Sequence, residues 1–217
     1  MCKKVIDSIL NNKIVVIVRG VEKENLIPLA QAMYDGGIRL LEITYDATGK
    51  VTDEETAQNI KMLSEYFEGK MFIGAGTVLT KEQVLLTKEN GGKFIISPDA
   101  NEEVIKYTKE LDLVSMPGAL TPTEIQSAHR AGADFVKLFP ITNMGSGYVK
   151  AVTAPLSHIK LIAVGGVTAD NMAEFLKAGA VGFGLGSNIV NKTFIKEGRY
   201  DLITEEAKRC VNALKWG

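Results

Sequence analysis

Disulfide chemistry has almost nothing to work with in this chain, which holds two cysteines, Cys2 and Cys210, near opposite ends of 217 residues. That excludes a disulfide-stapled scaffold and fits a reducing compartment. Histidine is as scarce. His129 sits in a helical pattern beside Arg130, His158 lies in a loop near Lys160, and no His/Cys spacing resembles a metal site, so neither metal nor other cofactor is expected. An excess of charge of one sign is also missing: 25 Lys and Arg stand against 26 Asp and Glu, a net charge of -1. This excludes the basic footprint that nucleic acid or an anionic membrane surface requires. No apolar run approaches the ~18 residues of a membrane span. The N-terminal apolar residues that follow Lys3 and Lys4 are interrupted by Asp7, Asn11, Asn12 and Lys13, unlike a secretory signal. What remains is a cytoplasmic globular protein with a small-molecule partner, no nucleic acid and no membrane.

With 46% hydrophobic and 24% charged residues, the chain is ordinary enough to form one domain over residues 1–217. Short β-branched runs alternate with longer helical patterns. The strands are predicted over 14–18, 40–44, 71–74, 94–97, 113–116, 135–139, 161–164 and 181–185. Helices are predicted over 23–34, 54–67, 81–90, 101–110, 122–131, 148–154 and 169–178, with a terminal helix over 200–214. Eight βα units in a chain of this length predict an α/β fold, a (β/α)8 TIM barrel; the alternative is an open doubly wound sheet of fewer strands.

One residue breaks the apolar run Phe135-Val136-Lys137-Leu138-Phe139-Pro140. An ammonium inside a buried strand must pair, lose its proton or react, and a desolvated lysine is a nucleophile for Schiff-base formation; the plainer reading has its head snorkelling into water. The helix-ending glycines give the register. Counting five residues forward from Gly37, Gly92, Gly132 and Gly179 reaches Glu42, Ser97, Lys137 and Gly184 on alternate strands, which share a layer in such a barrel. Glu42 and Lys137 are then expected to face each other inside it, as a catalytic acid and base or as a structural ion pair.

Glycines cluster after the last two strands, in Gly165-Gly166-Val167-Thr168 and Gly184-Leu185-Gly186-Ser187. The loops at those places often hold phosphate on backbone N–H groups, so Gly165, Gly166, Gly186 and Ser187 are candidate phosphate contacts. Arg19 ends the first strand, Thr44 the second, Thr77 follows Gly74-Ala75-Gly76, and Ser97-Pro98 ends the fourth. Arginine holds a carboxylate bidentately and threonine adds a hydroxyl, although Thr77 is equally explained as a turn cap. Pro98 and the Phe139-Pro140 step are candidates for shaping the pocket.

The ordered set Val16-Ile17-Val18-Arg19, Leu41-Glu42-Ile43-Thr44, Gly74-Ala75-Gly76-Thr77-Val78-Leu79, Ser97-Pro98, Met116-Pro117-Gly118, Val136-Lys137-Leu138-Phe139-Pro140, Gly165-Gly166-Val167 and Gly184-Leu185-Gly186-Ser187 resembles the class I aldolases of 2-keto-3-deoxy-6-phosphogluconate (KDPG) and 4-hydroxy-2-oxoglutarate (KHG). It spans nearly the whole chain. The resemblance implies a homotrimeric (β/α)8 enzyme, without metal, that cleaves a 2-keto-4-hydroxy acid to pyruvate and an aldehyde. It further implies Lys137 as Schiff-base lysine, Glu42 as general acid and base, Arg19 and Thr77 on the pyruvate carboxylate, and the four loop residues on phosphate; Thr44, Pro98 and Phe139 are further candidates for substrate contact. Two features depart from it. Asp46 stands where many relatives carry arginine, and the segment from Thr48 to Glu55 is longer than usual. With Asp99 as a further acid, these changes are expected to disfavour a strongly anionic substrate. Another phosphate-binding barrel, an isomerase or synthase, and a barrel that only binds a keto acid are the alternatives.

Overall fold

Valine and isoleucine dominate the strands, and because each strand is covered on both faces the runs are continuous rather than alternating. The computed structural model describes residues 1–216. Its strands are β1 (Ile14–Val18), β2 (Leu40–Thr44), β3 (Phe72–Gly76), β4 (Phe94–Ile96), β5 (Val114–Met116), β6 (Gly118–Ala119), β7 (Val136–Leu138), β8 (Leu161–Val164) and β9 (Gly182–Leu185). All pair in parallel, in the order β5-β4-β3-β2-β1-β9-β8-β7-β6. The two ends of that order are halves of one strand. Pro117 has no N–H to give to a ladder and divides β5 from β6. Its carbonyl still accepts from Lys137 N at 2.8 Å, between Phe135 N to Ser115 O at 3.2 Å and Phe139 N to Ala119 O at 3.1 Å. Nine segments thus make the expected eight-stranded barrel.

The helices are α1 (Cys2–Asn12), α2 (Lys23–Asp35), α3 (Asp53–Tyr66), α4 (Lys81–Glu89), α5 (Glu102–Glu110), α6 (Pro122–Arg130), α7 (Gly145–Thr153), α8 (Met172–Lys177), α9 (Lys192–Lys196) and α10 (Tyr200–Ala213). Sequence-encoded caps start several of them: Thr52 with Glu55 and Thr121 with Glu124 form capping boxes, and Thr80, Asn101 and Asn191 cap α4, α5 and α9. None of the described helices is long and apolar enough to cross a membrane. The periodicity did not predict α1 and α9. In α1 the fully buried residues are Val5 and Ile9, one turn apart. They pack with Val15, Leu40, Phe94, Val114, Phe135 and Ile162, so α1 plugs the N-terminal end of the barrel and leaves the opposite end for a site.

The strand register corrects one expectation. The left-handed residue that ends each helix before β2, β4, β7 and β9 is Gly37, Gly91, Gly132 and Gly179, with φ of 97°, 84°, 106° and 106°. In the Gly91-Gly92 pair the first glycine makes the turn. The count of five therefore reaches Ile96, not Ser97, and Glu42, Ile96, Lys137 and Gly184 line one interior cavity.

Candidate active site

Glu42 and Lys137 come from strands on opposite sides of the barrel. Ile17, Met116, Ile162 and Val164 complete the apolar lining of their cavity. Glu42 is 1% exposed and Lys137 9%. Burial pushes the Glu42 carboxyl up to about 7, although the charges of Lys137 and Arg19 favour its ionised form. Burial likewise lowers the basicity of Lys137, and Arg19 acts in the same direction, while Glu42 opposes them. No direct ion pair joins the two among the described residues, and Glu42 Oε2 has no hydrogen-bond partner among them. A purely structural buried pair would close both groups on each other. Here Glu42 lines the cavity with one carboxyl oxygen unbonded, able to give or take a proton.

Gly76 makes room for that carboxyl. A Cβ at this position would overlap Glu42 Oε1 and press on the Thr44 methyl. The sequence carried the signal, since Gly74 and Gly76 are two residues apart in one strand and so point to the same face. On the other side of the lysine, the Phe139 ring centroid lies 4.6 Å from Nζ, within cation–π range when the amine is charged. Phe139 also shares a depression at the mouth with Pro98, Asp99, Gly118 and Ala119.

Arg19 leaves the end of β1 exposed to solvent, and its Nη2 donates to Thr77 Oγ1 at 2.8 Å. Thr77 occupies the left-handed region at φ 56°, an uncommon conformation for a β-branched residue. Three contacts hold it there: Tyr45 N donates to Gly76 O at 2.9 Å, Val78 N to Ile96 O at 3.2 Å, and Leu79 N to Gln83 Oε1 at 2.8 Å. Gln83 Nε2 reaches Asp53 at the start of α3. The buried Tyr45 hydroxyl, its pKa pushed up to about 12 chiefly by burial, meets Gln83 O and Thr87 Oγ1. Tyr45 and Gln83 thus fix the turn that presents Thr77 toward Arg19, a supporting role invisible to pattern reading.

Thr44 is buried and, with Arg19, lines a second cavity that opens off the mouth between β1 and β2. After β8, Gly165 and Gly166 take φ of 105° and 70° and pack on Thr142. After β9, Gly186 O accepts from Ile189 N and Val190 N, turning Gly186 and Ser187 outward at the rim. Both glycine turns therefore lie at the C-terminal end of the barrel, as the strand assignment predicted, with Lys137 and Glu42 below them. Among the described residues no group of three or more His, Cys, Asp or Glu side chains stands close enough to hold a metal ion.

Asp46 behaves differently from the expectation. Its carboxylate accepts from Thr48 N at 3.0 Å, Thr48 Oγ1 at 2.8 Å, Lys50 N at 2.9 Å and Val51 N at 3.1 Å. Those bonds to Thr48 and to the backbone lower its pKa to about 2. The acid is the latch of the long 46–51 loop, with its charge directed into that loop rather than set against a substrate carboxylate. Asp46→Ala is therefore expected to speed amide hydrogen exchange at Thr48, Lys50 and Val51 while leaving exchange in the barrel strands unchanged. Protection that stays at the wild-type level in the loop would show that the latch is dispensable. The latch is present above the ordinary carboxylate range and is lost as pH falls through about 2.

The chain as a whole is similar to known proteins. The sequence matches the KDPG and KHG aldolase family over residues 5–206. It is 35% identical over 177 residues to a 2-dehydro-3-deoxy-6-phosphogalactonate aldolase of Escherichia coli (strain K12), covering 81% of this chain and 83% of that protein. The KHG/KDPG aldolase of the same organism is 31% identical over 211 residues, 96% of each chain. In structure the chain is similar to the KDPG aldolase of Legionella pneumophila with pyruvate captured as a covalent carbinolamine, at TM-score 0.80 and 26% identity over 94% of this chain and 96% of that one. The match spans every strand of the barrel, and the chain belongs to the KDPG and KHG aldolase family.

Proposed function

We propose that this class I aldolase cleaves a 6-phosphorylated 2-keto-3-deoxy sugar acid to pyruvate and glyceraldehyde 3-phosphate, and cleaves 4-hydroxy-2-oxoglutarate to pyruvate and glyoxylate. The reading is carried by one observation: a lysine of lowered basicity and a carboxyl titrating near 7 share an apolar cavity at the C-terminal end of the barrel. The similarity to both phosphogalactonate and KHG/KDPG aldolases supports a 2-keto acid with a phosphorylated or carboxylated distal end.

Lys137 acts as the nucleophile. Its neutral amine adds to the C2 carbonyl, and the carbinolamine loses water to give a protonated imine. Glu42 carries the protons, first to the departing hydroxyl and then, as a carboxylate, from the C4 hydroxyl. As that proton leaves, the C4 oxygen forms its carbonyl and the C3–C4 electron pair moves into the iminium. The resulting enamine is protonated at C3, and water releases pyruvate. Arg19 and Thr77, already joined, hold the C1 carboxylate beside Thr44, with Phe139 and Pro98 walling the other side. Gly165, Gly166, Gly186 and Ser187 receive the phosphate on backbone N–H groups. A homotrimer in the cytoplasm is the assembly and location we propose on the family resemblance, and native mass spectrometry tests the former.

The decisive experiment incubates the protein with pyruvate and borohydride. One reduced adduct per chain, mapped to Lys137, is expected; an adduct elsewhere or none overturns the assignment. Kinetics with the phosphorylated gluconate and galactonate epimers and with 4-hydroxy-2-oxoglutarate then rank the substrates. Arg19→Ala tests the carboxylate contact. A charge-assisted hydrogen bond to the substrate is lost, so KM is expected to rise about 10- to 100-fold. The fold should be unaffected, because Arg19 is exposed. An unchanged KM would move the carboxylate elsewhere.

A further inference from the structure

The turn that follows β9 delivers a second cation to the mouth. Asn191 Oδ1 accepts from Thr193 N at 2.9 Å and Phe194 N at 3.2 Å, starting the short helix α9, and the first residue of that helix is Lys192. The first turn of this five-residue helix carries no acid to pair with it. Lys192 is exposed, and among the described residues its ammonium has neither ion pair nor hydrogen bond.

Its Nζ lies over the end of β1. A Cβ built on Gly20, which sits in the left-handed region at φ 60°, would stand 3.3 Å from Nζ. Lys192 thus lies over the residue that follows Arg19, and both side chains line the cavity that also takes in Thr44, Thr48 and Lys50. The register pairs Val16 with Leu185, so Gly186 and Ser187 leave the barrel beside the same strand, just before it reaches Arg19 and Gly20. The ammonium therefore stands at the cavity of the candidate carboxylate contact, at the end of the strand that also borders the turn of Gly186 and Ser187. Glycine turns offer N–H groups but no formal charge, whereas a phosphate monoester carries between one and two negative charges near neutral pH. Of the two acids that line the cavity, Asp46 is committed to its loop and Glu22 stands at the start of α2.

We propose that Lys192 is a specificity-determining residue that supplies the positive charge for the terminal phosphoryl group of the aldol substrate. The proposal rests on the aldolase reading above and assigns the phosphorylated class of substrate to a side chain as well as to backbone. It is tested by the ratio of kcat/KM for a 6-phosphorylated 2-keto-3-deoxy sugar acid to that for its non-phosphorylated counterpart. Lys192→Gln is expected to lower this ratio on the order of tenfold or more, the scale of one lost charge-assisted hydrogen bond. Lys192→Arg should keep most of it. Lys196→Gln, one turn further along α9 and exposed, should leave it unchanged. Inorganic phosphate should inhibit the wild type more strongly than Lys192→Gln. A ratio unmoved by Lys192→Gln, an equal fall for both substrates, or a wild type indifferent to phosphorylation overturns the proposal. Pyruvate trapping at Lys137 in the same preparations separates this failure from failure of the aldolase reading, which would abolish trapping in the wild type itself.

Discussion

Lys137→Ala is expected to abolish aldol cleavage while leaving a folded barrel. Removal of a covalent nucleophile leaves only binding and proton transfer, so kcat should fall on the order of 10⁴–10⁶-fold. No pyruvate adduct should form under borohydride. Stability is expected to move the other way. The folded-state pKa of Lys137 lies below its unfolded value because burial disfavours the ammonium. Folding therefore opposes protonation, and the penalty is present at pH values below the ordinary lysine range. An apolar side chain of similar length, Lys137→Met, removes the penalty without opening a cavity, so it should melt no lower than the wild type at neutral pH. Loss of the lysine charge also removes one of the two groups that favour ionised Glu42, so the carboxyl should titrate above its present value of about 7 in either variant. Retention of cleavage by Lys137→Met, or a reduced adduct in it, would overturn the nucleophile assignment.

The same residue shows why part of the site was legible in the sequence. A single basic residue in an otherwise apolar strand is visible without any partner, as Lys137 is. Glu42 required register, and register came from helix-ending glycines, whose left-handed φ is a local property that sequence expresses well. The spacing of five is off by one residue only at the Gly91-Gly92 pair, where either glycine satisfies the pattern and the fold puts the left-handed turn at the first. The eight-stranded barrel was likewise visible, whereas the break at Pro117 and the plugging helix α1 were not. Two apolar residues in a polar helix acquire meaning only against the barrel floor they cover.

Contacts made by backbone groups and by space were the least legible. Gly76 acts by lacking a side chain where Glu42 needs room. Asp46 looked like a charge reversal in the substrate pocket, but its partners are the N–H groups of Thr48, Lys50 and Val51, which the loop brings round it. The bond from Arg19 to Thr77 joins strand ends 58 residues apart. Each of these depends on conformation between the motifs rather than within them.

Glu42→Gln is the second large effect and separates proton transfer from carbon chemistry. Glutamine keeps the shape and burial of the side chain but cannot accept or release a proton at the pH of the assay. Lys137 loses the charge that favours its ammonium form, so the amine is less basic than before and remains able to attack a carbonyl. Some pyruvate should therefore still be trapped, while kcat falls on the order of 10²–10⁴-fold, the usual contribution of general acid and base catalysis. The wild type should show a limb in kcat/KM near pH 7, where burial has set the Glu42 carboxyl, and the variant should lack it. Stability supplies an independent check. Because the folded pKa of Glu42 lies above the unfolded one, the wild type is most favoured below the ordinary glutamate range and loses that advantage as pH rises through about 7. The variant cannot ionise, so its melting temperature should match the wild type in mild acid and exceed it above pH 7. Near wild-type turnover, or survival of the limb near pH 7 in Glu42→Gln, would assign proton transfer to another group.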